Sequence, residues 1–200
     1  NLYTVHTLMA KGAFPEDREL SMGMPGMHGT AYATHALHHA GLIISVGARF
    51  DDRVTGDPSK FAPEAEVIHI DIDPAEINKV RRARVGIVGD AREVLEELLP
   101  LVQPRQPGEW EAHLKEWRAT HPLSYNADPE DGVSPQYVIE QLWEATKGEA
   151  LVCTEVGQHQ MWAAQYYRCR YPRQFLSSGG LGTMGYGFPA AIGAQIGCPD

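Results

Sequence analysis

The stretch LIISVGARF, residues 42–50, decides the fold class of this chain. Its short apolar run predicts a buried strand, and EVIHIDID (66–73) and VGIVGD (85–90) repeat the pattern. Helix-like segments flank these runs, TAYATHALHHA at 30–40 and AREVLEELLPLV at 91–102. Buried strands separated by helices are typical of a parallel sheet with helices on its faces. We therefore predict an α/β fold, with TVHTL (4–8) as a further short β-rich segment.

A second α/β unit is predicted after a break in this rhythm. QPRQPGEW (103–110) and NADPEDGVSP (126–135) are rich in turn-forming residues, so we expect a linker at 103–133 that contains one polar helix. A helix then begins with Ser134 as its cap and Pro135 in its first position. ALVCTEV and QFLSS are predicted strands, and a glycine loop and helix follow them. The predicted domains are 1–102, the linker, and 134–200.

Composition limits the class of function. The chain has 200 residues and a net charge of -9, which argues against nucleic-acid binding. Three widely spaced cysteines argue against a disulfide framework and indicate a reducing compartment. The longest apolar run is far too short to span a bilayer, so we expect no membrane association. The chain does not begin with methionine and both ends look cut, so we expect it to be an internal fragment.

Polar residues follow each predicted strand of the first unit. Ligands of open parallel sheets lie outside the carboxyl ends of the strands. Arg49 and Arg53 can fork onto phosphate there, although a solvated loop with local ion pairs explains 47–56 equally well. Asp71 and Asp90 are favoured as ligands of ribose hydroxyls, and Asp73 as a helix cap. GMHGT (26–30) could form an anion site, but on its two glycines alone a plain tight turn is favoured.

Two glycine-containing segments stand out in the second unit. EVGQHQMW (155–162) places Gly157, Gln158 and His159 between a strand and a helix, as an anion cradle or a capping turn. GGLGTMGYG (179–187) holds five glycines in nine residues, which lets a ligand approach the backbone closely. The histidines at 35, 38 and 39 share a helical face, but no cysteine or carboxylate completes a tetrahedral metal set nearby, so we reject a metal site.

These motifs together resemble one enzyme family. GMPGMHGTAYA, GARFDDRVTG, HIDIDPAEI, VGQHQMWAAQ and SSGGLGTMGYGFPAAIGA are similar to segments of the large catalytic subunits of acetohydroxyacid (acetolactate) synthases. The resemblance covers nearly the whole chain in the same order and is weakest in the linker. It implies a transferase that decarboxylates pyruvate and joins the product to pyruvate or 2-oxobutyrate, in branched-chain amino-acid biosynthesis. Its implied cofactors are thiamine diphosphate, Mg²⁺ and a structural FAD.

The resemblance also implies a role for particular residues. The chain would hold most of a Rossmann-like, FAD-binding middle domain and the beginning of the thiamine-diphosphate-binding domain. The residues implied to bind FAD are Gly26, Met27, His28, Gly47, Ala48, Arg49, Phe50, Asp51, Asp52, Arg53, Asp71, Ile72, Asp90 and Ala91. Those implied for thiamine diphosphate are Gly157, Gln158, His159, Gly182 and Met184. Arg53 would meet the carboxylate of the acceptor substrate, and Met27 would line its channel.

The resemblance places the remaining machinery outside the chain. The activating glutamate is expected upstream and the magnesium motif beyond Asp200, so no catalytic residue or metal ligand is assigned within residues 1–200, which we expect to be inactive alone. A homodimer or tetramer with a small regulatory subunit is implied, in a bacterial cytoplasm or a plant plastid. The alternatives are another FAD-containing relative, of the glyoxylate carboligase or pyruvate oxidase type, and a non-catalytic flavin-binding module.

Overall fold

A computed structural model describes residues 2–104, 106–127, 130 and 132–199. They form two compact units, each with a parallel sheet, which confirms the α/β class. The first unit contains residues 25–27 and 31–122, and the second contains residues 2–24, 28–30 and 123–199. This division departs from the predicted domains, because 2–24 belongs to the second unit and most of the predicted linker to the first. Linker positions 105, 128, 129 and 131 lie outside the described residues, as do positions 1 and 200.

The sheet of the first unit has three parallel strands. They are β1 (Leu42–Val46), β2 (Glu66–Asp71) and β3 (Val85–Val88), in the order β1-β2-β3. The central strand is the most buried, with Val67 and Ile70 almost fully covered. Strand β1 instead alternates between buried and exposed positions, so the prediction of a wholly buried strand is wrong for this chain.

Four helices complete the described part of the first unit. They are α1 (Ala31–His38), α2 (Asp52–Thr55), α3 (Ala91–Leu98) and α4 (Glu109–Thr120), and a short 3₁₀ turn, Leu99–Leu101, extends α3. Helix α4 is the polar helix predicted inside the linker, and it packs against α1. It is anchored by Leu114, which is buried. The unit's core consists of Ala40, Ile43, Phe50, Ala62 and Val67, flanked by Leu37, Phe61, Ala65 and Trp110.

The second unit is built on two parallel strands, β4 (Val152–Thr154) and β5 (Phe175–Ser177). Its helices are α5 (Pro135–Ala145), α6 (Gln158–Tyr166) and α7 (Gly187–Gly197). The predicted cap of α5 is confirmed, since the Ser134 hydroxyl accepts a hydrogen bond from the backbone N–H of Tyr137.

The β-rich segment expected at 4–8 does not form a strand. It makes one isolated bridge, Thr4 to Ser21, and then turns into a 3₁₀ helix, Leu8–Ala10. A lone bridge satisfies the backbone only locally, so β propensity over five residues did not suffice here. Within the described ranges, the helices are all too short or too polar to cross a lipid bilayer.

Candidate functional site

The loops that follow β1, β2 and β3 emerge from the same edge of the sheet. The backbone N–H of Gly47, just after β1, donates to the carbonyl of Ile70 at 2.8 Å. The N–H of Gly89, just after β3, donates to the carbonyl of Asp71 at 3.0 Å. These two bonds continue the sheet past its strand ends, so the loops after β1, β2 and β3 converge as the sequence pattern predicts.

The loop before α1 contacts the loop after β1 through backbone atoms. The N–H of Met27 donates to the carbonyl of Arg53 at 2.9 Å. Gly26 has a φ of 99°, and a Cβ atom at this position would lie 2.3 Å from the same carbonyl oxygen. Only glycine fits so close an approach in this conformation. The structure therefore brings Gly26, Met27 and Arg53 together.

Two arginine side chains extend from the loop after β1 and remain available to a ligand. Arg49 lies 3.3 Å from a carboxylate oxygen of Asp51, and Arg53 lies 3.7 Å from Asp52. Both guanidinium-bearing side chains are more than 60% exposed, at 61% and 68%. Exposed ion pairs of this kind contribute at most about 1 kcal/mol, so a phosphate or carboxylate can replace them. Asp51 also caps α2 by accepting from the N–H of Arg53.

Phe50 and Asp71 differ from the arginines because their side chains are covered. Phe50 belongs to the hydrophobic core, where its ring meets the His69 imidazole edge-on at 5.2 Å. Asp71 is 8% exposed, its Oδ1 accepts from the N–H of Asp73, and its Oδ2 lies 3.8 Å from His69 Nε2. Phe50 thus offers a ligand mainly backbone atoms, whereas Ile72 beside Asp71 is 71% exposed.

Asp73 and Asp90 each accept hydrogen bonds from backbone N–H groups two or three residues further along the chain. Oδ1 of Asp90 accepts from the N–H groups of Arg92 and Glu93, and Ala91 is the first residue of α3. Oδ1 of Asp73 accepts from the N–H of Ala75, where the chain forms a turn rather than the expected helix. The capping alternative for Asp90 is therefore realised, and a ribose hydroxyl would have to use its other carboxylate oxygen.

A cavity of about 210 Å³ lies in the first unit beside the contact between the two loops. Leu37, Val54 and Phe61 form apolar parts of its lining, and Asp57 and Lys60 contribute polar groups. None of the residues predicted to bind a cofactor lines this cavity, so it is not the site that the motifs indicate.

His28 belongs to the second unit, whereas Gly26 and Met27 belong to the first. Its backbone carbonyl accepts a hydrogen bond from the side-chain amide of Gln165 on α6 at 2.8 Å.

The edge of the second sheet begins with an open helix terminus. Gly157, next to the end of β4, has a φ of 146°, and α6 starts at Gln158. Gln158 and His159 are exposed in the first turn, where backbone N–H groups have no acceptor within the helix. Such a terminus, with an amide and an imidazole beside it, suits an anion such as a diphosphate.

The glycine loop after β5 lies at the same edge, because β4 and β5 are parallel neighbours. Ser178 starts the loop: its carbonyl accepts from the N–H of Gly182, and its hydroxyl from that of Thr183. Gly182 has a φ of 68°, and a Cβ there would lie 3.8 Å from Val156, next to Gly157. Met184 is 82% exposed at the tip of this loop. The five residues predicted for thiamine diphosphate therefore share one edge.

Glu155 lies at the same edge of the second sheet, and no motif in the sequence pointed to it. Its Oε2 accepts from the N–H of Gly185 at 2.7 Å, and its Oε1 from that of Gly187 at 2.6 Å. Burial opposes its charge, but these bonds, with those from Phe188 and Tyr186, lower the pKa of the Glu155 carboxyl below its ordinary value. The one signal in the sequence was an acidic residue at a strand end that precedes a glycine turn.

The histidine cluster of the first unit packs around a tryptophan. The ring of His39 stacks on Trp117 at 5.2 Å, and His35 lies 5.9 Å from the same ring. Burial, followed by the charges of His121 and His39, lowers the pKa of His35. In the part of the chain that the structure describes, no group of three or more His, Cys, Asp or Glu side chains could hold a metal ion.

Comparison with protein-family models gives two matches. Residues 1–98 match the central domain of thiamine pyrophosphate enzymes, and residues 155–200 match their C-terminal TPP binding domain. On these matches the chain belongs to the thiamine pyrophosphate enzymes.

Within that class, the chain is a homologue of acetolactate synthase large subunits. It is 54% identical to the acetolactate synthase large subunit of Corynebacterium glutamicum over 98% of its own length. It is 48% identical to the acetolactate synthase isozyme 3 large subunit of Escherichia coli over its full length. It is also 48% identical to the chloroplastic acetolactate synthase 1 of Nicotiana tabacum over 97% of its length. The chain spans about a third of each of these relatives, 32%, 36% and 30% respectively.

Proposed function

We propose that the chain is a segment of an acetolactate synthase large subunit. The full-length enzyme would decarboxylate pyruvate and join the remaining two-carbon unit to pyruvate or 2-oxobutyrate, in the synthesis of valine, leucine and isoleucine. The observation that carries this proposal is the 48–54% identity to proteins of that name over nearly the whole chain. Two sheet edges built from the family-like motifs support it.

Thiamine diphosphate would bind at the edge of the second unit. The open terminus of α6 suits its diphosphate, with Gly157, Gln158 and His159 as donors. Because Gly182 has no side chain, the aminopyrimidine ring could approach its backbone closely, and Met184 would support that ring. When bound, the cofactor supplies the electron sink for loss of carbon dioxide, and the protein supplies binding and orientation. Mg²⁺ would accompany the diphosphate, and among the described residues no group of three or more His, Cys, Asp or Glu side chains could hold it.

FAD would bind along the edge of the first unit, which would make that unit a Rossmann-like, FAD-binding domain. The exposed Arg49 suits the FAD diphosphate, and the strand-end backbone at Gly47 is open, with nothing within 4 Å of where a Cβ would lie. Phe50 and Asp71, at 7% and 8% exposed, are the least accessible side chains of the predicted set, and one carboxylate oxygen of Asp90 is already used to cap α3. The other residues proposed for FAD are Gly26, Met27, His28, Ala48, Phe50, Asp51, Asp52, Arg53, Ile72 and Ala91.

Arg53 would also bind the acceptor substrate. Its side chain is 68% exposed, and its backbone is held by the N–H of Met27, whose own side chain is 67% exposed. A guanidinium can bind a 2-oxo acid carboxylate through two parallel hydrogen bonds. Arg53→Ala in the full-length enzyme should therefore raise the KM for the acceptor more than it lowers pyruvate decarboxylation. Arg92→Ala, which removes an exposed ion pair on α3, is the matched control; equal loss of every step in Arg53→Ala would assign the loop a structural role.

The activity itself is tested with the full-length protein. It should form acetolactate from pyruvate when thiamine diphosphate, Mg²⁺ and FAD are supplied, and acetohydroxybutyrate when 2-oxobutyrate is added. A protein that consumed glyoxylate or oxidised pyruvate instead would contradict the proposal, and so would one that bound flavin without forming a carbon–carbon bond. Size measurement with and without co-expressed small subunit tests the proposed dimer or tetramer and its regulatory partner.

A further inference from the structure

Glu155 connects two segments that are distant in sequence. It lies directly after β4, and its carboxylate accepts from Gly185 and Gly187, which are 30 and 32 residues further along the chain. The two bonds use different oxygens, 2.7 Å from one N–H and 2.6 Å from the other. Hydrogen bonds to an ionised acceptor are about twice as strong as neutral ones, so this is a firm attachment.

The attachment fixes the end of the glycine loop that carries Met184. Gly185 follows Met184 immediately, and it has a φ of 81° that a side chain would strain. Gly187 lies so close to β4 that a Cβ would be 2.7 Å from the backbone nitrogen of Glu155. The start of α7 is thus held against the end of β4 by contact as well as by charge.

The other end of the same loop is fixed by a separate buried network. Ser177, the last residue of β5, shares a hydrogen bond of 2.8 Å with the Thr154 hydroxyl and accepts one of 2.6 Å from the Gln160 amide. All three side chains are buried. Ser178 then holds Gly182 and Thr183. Met184 is therefore an exposed side chain in a short segment that is anchored on both sides.

We propose that Glu155 is a positioning residue, whose carboxylate fixes the loop 182–185 and so presents Met184 to the thiamine ring of the cofactor. This inference rests on the proposed function. It assigns no contact between Glu155 and the cofactor, and the diphosphate would be held independently, at the start of α6. Loss of the carboxylate should therefore weaken binding of the whole cofactor and spare binding of its diphosphate part.

The test uses Glu155→Gln in the full-length protein. Glutamine keeps the shape of the side chain, but its amide offers one acceptor oxygen and turns an NH₂ toward the second N–H, which is left unsatisfied. Glu149→Gln, which alters an exposed carboxylate paired with Arg170 in the same unit, is the control. With Mg²⁺ present, calorimetry measures the Kd of thiamine diphosphate and of inorganic pyrophosphate for each protein. Hydrogen exchange measures the backbone of residues 181–188.

We expect Glu155→Gln to weaken thiamine diphosphate binding at least tenfold and pyrophosphate binding less than twofold, with faster exchange at 181–188. Because Glu155 would act through Met184, the effects of Glu155→Gln and Met184→Ala on the cofactor Kd should not multiply in the double variant. Glu155→Asp, which keeps the charge on a shorter stem, should restore part of the affinity.

Three outcomes would overturn the inference. They are unchanged cofactor affinity in Glu155→Gln, equal weakening of both ligands, and multiplying effects in the double variant. A wild-type protein that bound no thiamine diphosphate would instead overturn the proposed function and the inference with it. The exchange measurement needs no cofactor, so it reports the attachment itself in either case.

Discussion

The two sheet edges are built from similar parts that are connected differently. In the first unit, Asp51, Asp73 and Asp90 each accept from backbone N–H groups two or three residues further on. In the second unit, Glu155 accepts from N–H groups 30 and 32 residues further on. Local caps shape a loop through its own sequence, whereas a distant carboxylate makes one loop depend on another. A change at Glu155 should therefore affect two loops at once, whereas a change at Asp51, Asp73 or Asp90 should affect mainly the loop that contains it.

The largest expected effect is at the close contact in the second unit. Gly187→Ala in the full-length protein would place a Cβ 2.7 Å from Glu155 N and 2.8 Å from Thr154 C, which are backbone atoms at the end of β4. We expect a loss of about 1–3 kcal/mol in the free energy of unfolding, measured by urea denaturation. Gly193→Ala on the same helix meets nothing within 4 Å and should gain about 0.5–1 kcal/mol. Similar values for the two variants would contradict the tight contact.

A smaller and strictly local effect is expected in the first unit. Asp90→Ala removes the cap of α3 and should cost about 1 kcal/mol, with faster hydrogen exchange confined to residues 90–98. Asp90→Asn keeps an acceptor oxygen and should behave like the wild type. If exchange also rose in the loops after β1 and β2, the edge would be coupled in the same way as that of the second unit.

The smallest expected effect is a pH dependence of the free energy of unfolding that arises from His6 in the second unit. Burial lowers the pKa of His6 in the second unit below 6.5, more strongly than the nearby Glu16 raises it. The unfolded chain therefore binds a proton more readily, and stability is lost as pH falls below about 6.5. His6→Gln should weaken the pH dependence of the urea midpoint between about pH 7.5 and 5.5. Equal slopes for His6→Gln and the wild type would contradict the assignment.

Much of the fold follows from local sequence. The parallel strands β1, β2 and β3 were predicted from short apolar runs, and the cap Ser134 from residue type and position. The strand expected at 4–8 was wrong. Five β-prone residues need a partner strand, and in the described chain Thr4 makes an isolated bridge to Ser21 and the N–H of His6 donates to the carbonyl of Gly23. Residues 2–24 are grouped in one unit with residues 123–199, and no local pattern indicates an association over about a hundred intervening residues.

The candidate sites also combine features that the sequence determines with features that only the folded structure determines. The sequence by itself determined which loops end at each sheet edge, because parallel strands carry their carboxyl ends to one side. Only the tertiary structure decided which side chains at those edges are available. It buries Phe50 in the core, leaves Arg49 and Arg53 exposed, and assigns Glu155 to a loop 30 residues away. Burial and long-range hydrogen bonds depend on segments that meet only in the folded chain, and no local pattern of residues records them.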